Sequence, residues 1–181
     1  SRGLGDVYKR QAFCHSIYQF KQGDIHGIEF FKTCMNALQL KKRPYHIMFM
    51  PCSNWIKYGQ RFKRLDWYIG KHRQDLTSGL YDVDICDARE SLHEAKGGEK
   101  RILERNYLIT GNIKGKEIII IDDVLTTGQS VVDYKEEIER CGGKVVAAIF
   151  YGKTLSMPSM LLVQIHVWGN HIAHIIERMT K

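Results

Sequence analysis

Two adjacent carboxylates, Asp122 and Asp123, follow four consecutive isoleucines, and Thr126-Thr127-Gly128-Gln129-Ser130 comes shortly after. A β-branched run of this kind suits the centre of a parallel sheet covered on both faces. In such open sheets, ligands bind beyond the carboxyl ends of the strands. Val124 to Ser130 reads as a turn leading into a helix N-terminus, where unpaired N–H groups and the positive end of the dipole favour a phosphate. Leu125 and Gln129 belong to this loop, Thr126, Thr127 and Ser130 add hydroxyl donors, and Gly128 lets the backbone approach closely. At about 3.3 Å per extended residue, the two acids upstream are placed to accept hydrogen bonds from vicinal sugar hydroxyls. The spacing describes a sugar phosphate, with hydroxyls on the acids and phosphate on the loop.

Other chemistry-bearing residues carry weaker signals. The five cysteines (Cys14, Cys34, Cys52, Cys86, Cys141) form no CxxC pair. That argues against a zinc ribbon or disulfide framework and suits reduced thiols in a cytoplasm. His166, His171 and His174 invite a metal reading, the last two at i, i+3 on an expected helix with Glu177 beyond them. They lack a Cys or carboxylate set at ligand spacing, so a metal site is not expected there. Trp55 and Trp67, with lysines between them, fit either a packed helix with snorkelling lysines or a basic-aromatic nucleic-acid surface, the packed helix being preferred.

The elements that must hold these groups follow from periodicity. Ile17–Gly23 reads as a short strand or turn, and Ile25–Leu40 as an amphipathic helix capped by Asp24. Tyr45–Met50 is a strand stopped by Pro51, Gly59–Lys71 a helix, and Tyr81–Cys86 a short strand. Asp87–Arg105 lacks a sustained apolar period and reads as a long functional loop. Glu117–Ile121 is the buried strand, Ser130–Cys141 a helix closed by Gly142-Gly143, and Lys144–Tyr151 the next strand. Met160–Val167 is expected as a strand and His171–Met179 as a terminal helix. The alternation of strand and helix makes the class α/β, with a mostly parallel central sheet flanked by helices.

At 181 residues and 44% hydrophobic content, the chain fits one domain with a sizeable core. No apolar run approaches the ~18 residues of a membrane span. The first eleven residues, SRGLGDVYKRQ, share no pattern with the rest, and Asp6–Gln11 back-translates to the end of a transposon used in preparing sequencing libraries. Residues 1–11 are therefore expected to be adapter translation that replaces the natural start, with residues 12–181 forming a single domain around a core of about 45–152. Setting aside Arg2, Lys9, Arg10 and Asp6 removes three cations and one acid, lowering the net charge from +7 to +5. That balance permits anionic ligands without choosing among them.

The segment IIIIDDVLTTGQS resembles the phosphoribosyl-pyrophosphate (PRPP) motif of type I phosphoribosyltransferases, in which an apolar strand runs into two acids, two variable residues and T-[TS]-G. A response-regulator receiver also places acids after an apolar strand, but its phosphorylated aspartate lies on a separate strand and its pattern leaves the TTG loop unexplained. The order of IYQFKQGD, MPCSN, YGQRFKRL, AKGGEKRILERNYLI and the acidic motif is similar to the ComF family of competence-associated phosphoribosyltransferase-like proteins, over roughly residues 15–152. Many ComF proteins carry an arginine-glycine-phenylalanine-asparagine run where this chain has Tyr58-Gly59-Gln60-Arg61-Phe62, and an N-terminal four-cysteine zinc module that this sequence does not contain.

The resemblance implies a Rossmann-like type I core. Asp122 and Asp123 would hold the ribose, Leu125–Ser130 the 5′-phosphate, and Cys52 and Ser53 the pyrophosphate through backbone N–H groups. Lys96 and Arg101, in a flexible loop hinged at Gly97-Gly98, would bring cations to the pyrophosphate. Mg²⁺ would arrive on the ligand, with no dedicated protein cage. Partners would be PRPP and a base or other nitrogen acceptor; a homodimer is compatible with the resemblance, and nucleic acid is unsupported beyond the tryptophans. Two functions fit: transfer of a phosphoribosyl group with release of pyrophosphate, or a non-catalytic PRPP or nucleotide sensor, including an accessory role in DNA uptake.

Overall fold

The computed structural model describes residues 14–38, 44–86 and 105–153, and the backbone of 163–168 and 171–177. The expected adapter segment 1–11 lies outside these residues, as do 87–104 with Lys96 and Arg101.

Helix α1 covers 14–21, where a short strand or turn was expected, and the turn comes only at Gln22-Gly23. Gly23 has φ +73° and the carbonyl of Gln60 lies where its Cβ would be, so the turn needs a glycine, and the helix before it buries Phe20 against Phe62 and Tyr151. Helix α2 runs His26–Ala37; its N-cap position is Ile25, not the expected Asp24, and Asp24 Oδ1 accepts the His26 N–H at 3.0 Å from one residue before the cap. Strand β1 (Tyr45–Phe49) is followed by helix α3 (Trp55–His72), a turn longer at its start than periodicity suggested because Asn54 caps it by accepting the Lys57 N–H. The short strand β2 (Leu76–Ser78) has no sequence signature.

Strands β3 (Val83–Ile85) and β4 (Tyr107–Ile109) form a separate antiparallel pair. Strand β5 (Glu117–Leu125), helix α4 (Gln129–Arg140) and strand β6 (Lys144–Lys153) complete a βαβ unit. Beyond it lie β7 (Val163–Trp168) and β8 (His171–Glu177). The last is a correction: the expected terminal helix is a strand, antiparallel to both β6 and β7. Its β-branched isoleucines suit that pairing, and the i, i+3 helical premise for His171 and His174 disappears with the helix.

The main sheet has the order β2-β1-β5-β6-β8-β7, its first four strands parallel and its last two antiparallel additions. Helices cover both faces. Ile47, Phe49, Ile119, Ile121 and Ile149 pack under α1, α2 and α3, whereas Met48, Ile118, Ile120 and Phe150 pack under α4. Alternation along β1 and β5 thus feeds two cores from one sheet, which is why these strands read as unbroken apolar runs.

Candidate functional site

Strand β5 outlasts its neighbour. Phe49 pairs with Ile121, and the Met50 N–H donates to the Ile121 carbonyl at 2.9 Å, after which β1 ends. Strand β5 continues against β6, with Asp122 opposite Phe150, Val124 opposite Gly152 and Leu125 opposite Lys153. The acids expected beyond the strand end therefore lie within the strand. They sit where β1 and β5 part company, a position at which open α/β sheets leave a crevice.

Parity decides which groups meet them. Asp123 continues the face of Ile119 and Ile121, toward α1 and α3. There Lys21 Nζ from α1 lies 3.2 Å from Asp123 Oδ2, and Arg61 Nη1 from α3 lies 3.2 Å from the same oxygen and 3.6 Å from Asp122 Oδ1. Asp122 Oδ1 also accepts the Asp123 N–H, and Asp123 Oδ1 accepts the Val124 N–H, each at 2.7 Å. The Asp123 side chain is only 9% exposed. Burial, reinforced by the Asp123 charge, pushes the Asp122 carboxyl up to about 8, with Arg61 opposing.

The loop after β5 matches its expected form. Gly128 takes φ +82° as the residue preceding α4 and has no side chain to cap it, leaving first-turn N–H groups open to an anion. Thr126, Thr127, Gln129 and Ser130 are exposed and Leu125 is buried. Thr127 Oγ1 accepts the Gln129 N–H at 3.4 Å, and Gln129 Nε2 donates to Asp133 at 2.7 Å.

Across the crevice, Pro51–Asn54 connects β1 to α3. Ser53 is exposed and its Oγ accepts from Lys57 Nζ at 3.3 Å; the Cys52 carbonyl accepts from Asn106 Nδ2 at 2.7 Å. The Cys52 side chain is buried, which pushes its thiol up to about 11, so it packs rather than attacks. Arg105, one of the loop cations, is spent on Glu137 of α4 at 2.6 Å.

Sequence reasoning missed Lys21 and Arg61 as site residues. Both were in view, Lys21 within IYQFKQGD and Arg61 within YGQRFKRL. Arg61 had a readable signal: a cation beside the buried stripe of Tyr58, Phe62, Leu65 and Ile69, in a chain that also buries two acids. The tryptophans depart from the preferred packed-helix reading. Trp55 is 41% and Trp67 54% exposed, and they line a groove of about 780 Å³ with Gly59, Lys63, Arg64 and Tyr81, apart from the two acids. Lys71 does lie over the Trp67 ring, 5.0 Å from its centroid.

Among the described residues, no three His, Cys, Asp or Glu side chains cluster as a metal site. The polar groups at the crevice, two acids already facing Arg61 and Lys21, fit an ion that arrives on a phosphorylated ligand better than a resident one. No helix among those residues is long and apolar enough to cross a membrane.

The crevice can thus hold hydroxyls on one wall and a phosphate on the next. Residues 74–155 match the phosphoribosyl transferase domain. The match runs from just before β2 through β6 and contains both acids and the whole β5–α4 loop. An orotate phosphoribosyltransferase from Sulfolobus acidocaldarius is 42% identical over 57 residues, 31% of this chain and 26% of that protein. The transcriptional regulator GfcR of Methanocella arvoryzae is 30% identical over 98 residues, 54% of this chain and 38% of its own length. A second orotate phosphoribosyltransferase, from Methanopyrus kandleri, is 42% identical over 41 residues, 23% of this chain and 22% of that protein. The chain therefore spans between 22% and 38% of these relatives' length. Together they support the phosphoribosyltransferase family for this domain.

Proposed function

We propose that the protein binds Mg·PRPP in the crevice between β1 and β5 and transfers its phosphoribosyl group to a nitrogen nucleophile, releasing pyrophosphate. The observation that carries this is the placement of Asp122 and Asp123 one turn ahead of an uncapped helix N-terminus with Gly128 at φ +82°. In this reading the acids accept the ribose hydroxyls and offset positive charge developing at the anomeric carbon. The loop from Thr126 to Ser130 fixes the 5′-phosphate, and the backbone at Cys52-Ser53 takes the pyrophosphate end. Mg²⁺, when bound through ligand oxygens, supplies charge to the departing pyrophosphate. Lys96 and Arg101 are proposed as further cations for that group. The order of segments from Ile17 to Ile109 supports a ComF-like subfamily as the finer reading, and the free cysteines suit a cytoplasmic location.

A second reading is favoured by the GfcR relatives, whose name is that of transcriptional regulators: a PRPP- or nucleotide-binding domain that senses without turnover. Thermal shift with Mg·PRPP, followed by a screen of nitrogen bases for pyrophosphate release, separates the two. Transfer predicts stabilisation and release with at least one base, and Lys96→Ala or Arg101→Ala then lowers turnover more than affinity. Sensing predicts stabilisation alone. No shift at millimolar PRPP would overturn both.

A further inference from the structure

Arg61 is the one cation among the described residues whose guanidinium reaches both carboxylates, 3.2 Å from Asp123 and 3.6 Å from Asp122. Its side chain is 17% exposed, like that of Asp122, and lies 5.6 Å from the Phe62 ring centroid. Two buried polar atoms here, Arg61 Nε and Asp123 Oδ2, make no hydrogen bond within the protein. Lys21 reaches Asp123 alone, and its side chain is 43% exposed. A buried arginine is costly to desolvate, and here it faces the acid pair without full hydrogen-bond satisfaction.

We propose that Arg61 is the positioning residue of this site: it holds Asp122 and Asp123 as an oriented acid pair ready to accept two hydroxyls of a sugar phosphate, and acts on the ligand only through them. The proposal rests on the sugar-phosphate reading of the crevice. Neighbouring carboxylates in a dry site resist double ionisation, and a carboxyl accepts two hydroxyl hydrogens well only as the anion. A guanidinium stays charged at every relevant pH, so it opposes the burial that holds the Asp122 carboxyl neutral and favours the anion. The other groups facing the pair are Lys21 from α1 and the Cys52 thiol from the loop after β1, with Lys57 of α3 near that thiol. Cys52 is kept protonated by burial, and both lysines are exposed enough for water to screen them.

The test has two arms. Carbon-13 carboxyl NMR titration of the ligand-free wild type, Arg61→Met and Arg61→Lys reads the acids directly. Arg61→Met should move the Asp122 titration to higher pH by at least one unit, and Arg61→Lys should recover part of that movement. Calorimetry with Mg·PRPP, and with ribose 5-phosphate as a second probe, then follows affinity from pH 5 to 9. Arg61→Met should bind at least tenfold more weakly at pH 6, with the deficit shrinking toward pH 9 as the carboxylates ionise unaided. An unmoved titration in folded Arg61→Met overturns the proposal. A deficit equal at every pH also overturns it, because Arg61 would then touch the ligand itself. If Arg61→Met fails to fold, Arg61→Lys carries the titration arm, with a smaller movement in the same direction. If the wild type binds neither probe, the sugar-phosphate reading is overturned, and the titration alone decides whether Arg61 governs the acids.

Discussion

Asp122 carries a cost in the ligand-free protein that its neighbour helps to create. With its carboxyl raised to about 8 from an ordinary value near 4, the native state holds a proton that the unfolded chain has released. Stability therefore falls as pH rises from about 4 through 8, because ionisation is easier in the unfolded chain. Asp122→Asn removes that penalty. It should raise the melting temperature at pH 8.5 and change it little at pH 4. Equal effects at both pH values would show that Asp122 ionises freely in the fold. The same substitution paired with Asp123→Asn should weaken PRPP binding at least tenfold, since hydrogen bonds to charged groups are worth ~1.5–3 kcal/mol each. Calorimetry on the folded double variant checks this, and unchanged affinity would remove both acids from the site.

At the scale of elements, the β3–β4 pair is tied to the sheet at both ends. At one end Asn106 of the segment before β4 reaches the Cys52 carbonyl. At the other, Asp82 accepts from the Thr110 and Gly111 N–H groups through its carbonyl, while its carboxylate lies 2.7 Å from His46 Nε2. His46 is buried, and its Nδ1 lies 2.7 Å from Thr77 Oγ1 of β2. One buried imidazole thus links β1, β2 and the arm that leads into residues 87–104. Burial, together with the Lys116 charge, lowers the His46 value from 6.5 against the opposing pull of Asp82. The sign follows: the unfolded chain takes up a proton below 6.5 that the native state resists, so this contribution is present above that pH and lost as pH falls. Asp82→Ala should cost about 1–3 kcal/mol by leaving the buried His46 Nε2 without its carboxylate. In urea denaturation at pH 7.5 it should also loosen amide exchange in Tyr107–Ile109 more than in β5. Uniform loosening across both strands would mean the arm is not separately tethered. Gly111 leaves no room for a side chain, since its Cβ would lie 2.2 Å from the Asp82 carboxyl carbon. Gly111→Ala should therefore reproduce the Asp82→Ala pattern.

For the whole molecule, the aromatic cluster around Phe62 joins the N-terminal helices to the domain that carries the acids. The Phe62 ring stacks on Phe49 of β1 at 4.8 Å, meets Phe20 of α1 edge-on at 6.4 Å, and lies 5.5 Å from Tyr58. Phe20 in turn contacts Tyr151 of β6 at 5.2 Å. Lys21 and Arg61, the cations at the acids, follow Phe20 and precede Phe62 directly in the chain, so packing of these rings sets where the charges fall. Phe62→Ala should cost ~3–5 kcal/mol in chemical denaturation and lower ligand affinity as well. The Asp122/Asp123 double variant should lose affinity while keeping its stability. A Phe62→Ala protein with wild-type stability would separate this cluster from the core.

The local sequence determined the α/β class, the strand at Glu117 and the helix after Gly128, and it held the paired acids and the loop for which we propose a sugar phosphate, because an apolar period, a glycine turn and a paired-acid motif are each encoded within a few neighbouring positions. What lay beyond it were the features made by distant partners. The 14–21 helix and the β8 strand owe their form to what covers or pairs with them: Phe20 packs against Phe62 and Tyr151, and β8 hydrogen-bonds along β6. Strand β2 is three residues long and exists through its pairing with β1. The continuation of β5 through both acids depends on β6 reaching Lys153 beside it. Above all, the charge state of the acids is a tertiary property. Lys21 and Arg61 are separated from Asp122 and Asp123 by about sixty to a hundred residues of chain, and only the fold brings them within 3.6 Å. Coulomb energy depends on that distance and on the burial around it, and neither is written in local pattern.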